Sequence, residues 1–238
     1  MSGMGDHLMI APVVLPLVAS AAMLFLGEMR RGLKAAISVG STLALVGIAI
    51  ALLTMSDTAE SVSRVSVYPL GNWPAPFGIV LVVDRLSALM LLLTSILGAA
   101  AVVFSLARWH RAGAHFHSLF QLLLMGVNGA FLTGDLFNLF VFFELLLAAS
   151  YGLALHGSGP ARVKAGLHYI AVNLAASLLF LIGVSLIYGV SGTLNMADLA
   201  ARIPGLVPES RAISEIGRDR WFTLVNIHRW SVWEFRGD

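Results

Sequence analysis

Four stretches of the chain are apolar and uncharged for at least the ~20 residues that cross a bilayer as a helix: Leu8 to Gly27, Ala35 to Ser56, Leu86 to Ala107 and Ala165 to Ala197. Two more runs lie between them, from His117 to Gly134 and from Leu136 to Leu155, parted only by the small pair Gly134-Asp135. The pattern predicts an all-α, polytopic membrane protein with six transmembrane helices at about 8–27, 33–56, 84–107, 117–134, 136–155 and 165–190. Between helices two and three, an acidic polar loop with Asp57 and Glu60 leads into the turn-rich run GNWPAPFG, Gly71 to Gly78, expected outside the membrane.

Basic residues set the orientation. Arg30, Arg31, Lys34, Arg108, Arg111, Arg162 and Lys164 fall in the connections after helices one, three and five, against Arg64 alone in the others. The N terminus is therefore expected outside and the odd-numbered connections in the cytoplasm. No Lys or Arg precedes Glu28, so the first run lacks the basic start of a signal peptide and is read as a retained helix.

From about Pro208 the pattern changes to a segment dense in charge and tryptophan, with no run of spanning length. The expected division is a transmembrane domain over 1–205 and a divergent polar tail over 206–238, either disordered or a short interfacial helix.

Composition agrees with a membrane protein, since 58% of the residues are apolar and only 12% are charged. The net charge of +2 is scattered singly or in pairs, so no nucleic-acid partner is expected. With no cysteine, the chain holds no disulfide, thiolate zinc site or Cys-ligated iron–sulfur cluster. No phosphate loop, nucleophile elbow or triad pattern is present, so covalent catalysis and cofactors are not expected.

The residue that stands out is Glu144, a carboxylate near the middle of the fifth span. Such a group costs at least ~2.5 kcal/mol to insert, and marks an ion or proton pathway far more often than a lipid-facing position. At helical spacing it shares a face with Ala148 and Gly152, small residues that let a neighbouring helix close over it. Desolvation there favours the neutral acid, so the group can take up and release a proton.

Other polar positions are ambiguous. Tyr169, Asn173 and Ser177 recur every four residues on helix six, and Gln121 and Asn128 share a face of helix four. They read either as interhelical hydrogen bonds or as a water-lined polar path. Lys164 and His168, one turn apart at the start of helix six, are either headgroup anchors or electrostatic partners of a proton route. Asp84 and Arg85 read as an interfacial ion pair, and Asp135 as the cap of helix five. His110, His115 and His117 have no metal-ligand spacing.

The run GDLFNLFVFFELLLAASY (Gly134 to Tyr151), with VDRLSALML (Val83 to Leu91) and GLHYIAVNLAAS followed by YGVSGTLNMADLA (within Gly166 to Ala200), resembles the D subunit of Mrp-type multisubunit monovalent cation/proton antiporters, also called Mnh or Pha. The likeness covers roughly Pro12 to Ile203. That family is similar in turn to the proton-pumping, antiporter-like membrane subunits of respiratory complex I. The resemblance implies a fold of about fourteen helices with two inverted five-helix repeats, whose six N-terminal helices match the six read here. It implies that Glu144 matches a helix-five glutamate that pairs with a lysine on helix seven and gates proton movement.

The chain departs from that pattern by ending before a seventh helix, which points to a frameshift, a premature stop or a split gene. Unless Lys164 substitutes, Glu144 then lacks a lysine partner in its own chain. The expected function is a membrane subunit of a Na⁺ (or K⁺)/H⁺ antiporter in the cell inner membrane, partnered by the other antiporter subunits and the lipid bilayer. It is expected to be a secondary transporter, not an enzyme. The alternatives are a proton-pumping subunit of a complex I-like NADH dehydrogenase or hydrogenase, and an inactive remnant.

Overall fold

In a computed structural model, residues 6–26, 30–58, 65–73, 78–108, 115–157 and 159–206 are described. The described chain is a helical membrane bundle: α1 (Ala11–Phe25), α2 (Arg31–Thr58), α3 (Arg85–Arg108), α4 (Phe116–Leu132), α5 (Leu136–Ala154), α6 (Pro160–Ser191) and the short α7 (Met196–Arg202). Without water, only a helix satisfies its own backbone inside lipid, so the apolar runs fold as the pattern predicts. Four helices are long and apolar enough to cross a membrane, namely α2, α3, α5 and α6. The 15-residue α1 and 17-residue α4 are shorter.

Helix bounds differ from the expected ones mainly at α6, which begins at Pro160 instead of near 165. Proline at a helix start is already bent to helical φ and its missing N–H costs nothing there, and Gly159 before it has φ 131°, open to glycine. The helices thus run on through the basic residues. Arg31, Lys34, Arg162 and Lys164, expected in connections, belong to the first turns of α2 and α6. Lys34 is not a surface residue at all, being 2% exposed. Arg111, Glu60 and Arg64 lie outside the described residues, as do His110 and the tail from 207 onward.

α4 is the hub, packed against α1, α2, α3 and α5, while α6 packs on α5. Glycines set the closest approach: a Cβ on Gly126 of α4 would stand 2.6 Å from the Cβ of Leu146, and one on Gly152 of α5 would stand 2.9 Å from Leu119. One apolar cluster joins Val13, Leu52, Leu91 and Leu132 with Leu81 and Val83 of the connection between α2 and α3, and another joins Leu45, Val102, Phe120 and Leu124. Outward-facing side chains such as Phe104, Leu97 and Leu167 are apolar, as lipid contact requires.

The described parts of the connection between α2 and α3 include two short strands. They form an antiparallel hairpin, β1 (Ser66–Pro69) with β2 (Val80–Val83), in the register Ser66 to Val83. The Gly134-Asp135 turn is stitched into it: Gly134 N–H donates to Val80 O at 2.8 Å, and Leu81 bridges to Thr133. On its other side, Leu136 N–H donates to Leu194 O and Met196 N–H to Gly134 O, both at 2.9 Å. This small cap ties the ends of α4, α5, α6 and α7 together.

Asn128 acts between helices. Pro16, inside α1, has no N–H, so the carbonyl of Pro12 loses its partner one turn back. Asn128 of α4 donates to that carbonyl at 2.9 Å and is itself 1% exposed. The expected consequence is specific. Asn128→Leu should cost about 1 kcal/mol of stability, and clearly less when Pro16→Ala restores the missing N–H. A double-mutant cycle on unfolding in detergent checks this, and strictly additive costs would disprove the pairing.

Candidate functional site

α5 starts from an acceptor. Asp135 Oδ1 receives the Asn138 N–H at 2.9 Å, capping the helix as its sequence implies. Asp84 does the same for α3, accepting from the Ser87 N–H at 2.7 Å while the Ser87 hydroxyl accepts from the Asp84 N–H. Glu144 lies in the third turn of α5. Its Oε1 is shielded from solvent and accepts no hydrogen bond. Among the described residues it makes no ion pair.

The surroundings of Glu144 differ above and below it along the α5–α6 pair. Toward the Gly134-Asp135 cap, the Phe140 ring stacks on Phe180 at 6.1 Å and Phe143 meets Phe180 edge-on at 6.3 Å. Toward the basic end of α6, the rings of Tyr151 and Tyr169 meet edge-on at 5.4 Å. The Tyr169 hydroxyl lies 3.2 Å from Ser150 Oγ. With α5 and α6 antiparallel, these contacts place Glu144 between them, level with residues 173–177 of α6. Of the three-residue stripe expected on α6, Asn173 is buried and donates to the Tyr169 carbonyl at 2.8 Å, and Ser177 is half-buried.

Gln121 stands elsewhere, fully buried between α4 and α2. Its amide donates to Ser38 O at 3.1 Å and Thr42 Oγ1 at 3.0 Å, and its Oε1 accepts from Ser41 at 3.1 Å. Gln121 and Asn128 therefore serve helix packing on the far side of α4. Lys164 and His168 are exposed, and the His168 ring bonds back to the Lys164 carbonyl at 3.1 Å. Gly166 meets Leu155, so Lys164 is level with the end of α5, about 20 Å from Glu144 at 1.5 Å per residue. Lys164 is therefore not the ion-pair partner of Glu144. His115 is exposed at the cap of α4, and His117 is buried one turn before Gln121.

Tyr151 and Ser150 have no signal in the sequence as strong as that of Glu144. What signal there is lies in spacing: Tyr151 is seven residues beyond Glu144, two turns along the same face.

The family model described as "NADH:quinone oxidoreductase/Mrp antiporter, TM" matches residues 133–222, so the match begins at the cap, includes Glu144 and continues past Pro208. A protein of Rhizobium meliloti, named as the D subunit of a probable K⁺/H⁺ antiporter, is 65% identical over 89% of this chain and 40% of its own length. The D subunit of a Na⁺/H⁺ antiporter of Alkalihalophilus pseudofirmus is 40% identical over 83% of this chain and 40% of its own. A chain in the structure of the Mrp complex from Dietzia sp. DQ12-45-1b superposes with a TM-score of 0.81 at 33% identity, over 95% of this chain and 41% of that one. This chain thus spans about two fifths of the length of the proteins it matches. On these likenesses, the chain resembles antiporter D subunits over most of its length, and its residues 133–222 match the membrane region shared by NADH:quinone oxidoreductase and Mrp antiporter subunits.

Proposed function

We propose that this chain supplies the proton-handling helices of a multisubunit monovalent cation/proton antiporter, with Glu144 as the group that binds and releases the proton. The observation that carries this reading is a carboxyl oxygen held in a membrane span, shielded from solvent and without a hydrogen-bond partner among the described residues. A structural glutamate would spend its oxygens on donors, whereas an unpaired one is available to a proton. The relatives named as K⁺/H⁺ and Na⁺/H⁺ antiporter subunits support exchange of Na⁺ or K⁺ against H⁺ and assembly with further antiporter subunits. The basic residues at the starts of α2 and α6 support a cytoplasmic placement of those ends, with the N terminus outside, in the cell inner membrane. The work is transport, with no covalent step. We assign 1–205 to the membrane domain and Lys164 and His168 to its headgroup edge.

The test is an exchange assay in everted vesicles from cells lacking their own antiporters, carrying this chain with the other antiporter subunits. A respiration-driven pH gradient, followed by an acridine dye, should collapse on adding NaCl or KCl but not choline chloride. If neither cation collapses the gradient while the complex is present in the membrane, the antiporter reading fails.

A further inference from the structure

We propose that the hydroxyls of Tyr151, Tyr169 and Ser150 form the proton route between Glu144 and the basic end of the α5–α6 pair. The proposal rests on the relay reading of Glu144 and adds the direction from which its proton arrives.

Geometry carries it. Tyr151 lies two turns from Glu144 on one face of α5, about 10 Å along the axis, and helical side chains lean toward the helix start, which carries the Tyr151 hydroxyl toward Glu144. Its ring is set edge-on against Tyr169. Ser150 Oγ is within reach of both Leu147 O, at 2.7 Å, and the Tyr169 hydroxyl, at 3.2 Å, a contact in which either oxygen can donate, so rotation of the serine hydroxyl turns its proton from the carbonyl into the route. Beyond Tyr169, the next turn of α6 toward its start reaches the exposed His168 and Lys164. On the opposite side of Glu144, the Phe140, Phe143 and Phe180 rings fill the same interface with groups that can neither donate nor accept. Glu144 therefore sits at a boundary, with hydroxyls on one side and an aromatic plug on the other.

Each hydroxyl along the route takes a proton from one neighbour and gives its own to the next. One proton enters at the basic end, one arrives on the Glu144 carboxylate, and no electron moves. Such a route is reversible, and it opens to one end of the bundle only.

The experiment measures proton arrival at Glu144, separately from transport. The chain, assembled with the remaining subunits in lipid nanodiscs, is followed by infrared difference spectroscopy after a pH jump. The carboxylic acid C=O band is assigned by its disappearance in Glu144→Gln. In Tyr151→Phe and Tyr169→Phe, which keep the rings, the band should grow at least about tenfold more slowly than in the unaltered chain, with its final amplitude at each pH retained. Ser150→Ala reads the same link without touching a ring, should Tyr169→Phe fail to assemble. Tyr188→Phe, on an exposed site of α6, should leave the rate unchanged. Unaltered rates in Tyr151→Phe and in Tyr169→Phe or Ser150→Ala, with a responding Glu144 band, overturn the tyrosine route alone. A band that never responds in the unaltered chain overturns the relay reading and the route with it.

Discussion

Glu144→Gln should reduce cation-driven proton movement to background, a loss of about a hundredfold or more, while the complex still assembles. The two side chains have nearly the same shape, so packing in α5 is conserved. The carboxyl Oε1 accepts no hydrogen bond from the described residues, so no hydrogen bond among these helices is lost with it. What disappears is the property that glutamine lacks, reversible protonation. Dye dequenching in everted vesicles, alongside gel filtration of the solubilised complex, separates the two effects. Exchange at more than half the unaltered rate in an assembled Glu144→Gln complex would remove Glu144 from the mechanism. Glu144→Asp keeps the acid but retracts it by one methylene, and should fall between the two.

The second large effect is structural and acts on the same helix. A side chain at Gly126 has no room: its Cβ would lie 2.6 Å from the Cβ of Leu146 and 2.9 Å from the Leu146 backbone nitrogen and Cα. Backbone cannot step aside as the tip of a flexible side chain can. Gly126→Val must therefore push α4 and α5 apart, at a cost of about 2 kcal/mol or more, and displace Leu146 two residues from Glu144. Gly47→Ala on α2 is the matched control, because nothing stands within 4 Å of the added carbon. Thermal unfolding in detergent and the yield of assembled complex should fall sharply for Gly126→Val and stay level for Gly47→Ala. Equal melting of the two variants would show that the α4–α5 contact relaxes at no cost.

Below these two effects lies a division of labour along α5. The capping Asp135 and the cap strands hold its first turn, glycines press its middle against α4, and Glu144 stands level with residues 173–177 of α6. The same arrangement explains why so much polar chemistry near the bundle centre is structural. Gln121 closes a hydrogen-bonded group with Ser38, Ser41 and Thr42, and Asn128 answers the carbonyl that Pro16 leaves open.

The run lengths of apolar residues by themselves determined the class, six of the seven described α-helices and most of their limits, because a backbone in lipid has to satisfy its hydrogen bonds within the segment. The cap of α5 was legible in Asp135 for the same local reason, a side chain serving an amide three residues away. Glu144 was legible as an anomaly, since its type conflicts with its surroundings whatever packs against it. What only the tertiary structure decided depends on partners far away in the chain. Asn128 meets Pro12 from 116 residues away and Gln121 meets Ser38 from 83, so their roles as struts had no local signature. The hairpin of four-residue strands is too short to show an alternating pattern, and its pairing with the Gly134 turn is settled only when α4 and α5 are in place. The neighbours of Glu144 belong to this class too: periodicity placed Tyr169 on a face of α6, but only the antiparallel docking of α5 and α6 set it against Tyr151 and Ser150, because side chains on separate helices acquire a common register through packing and not through spacing in either helix.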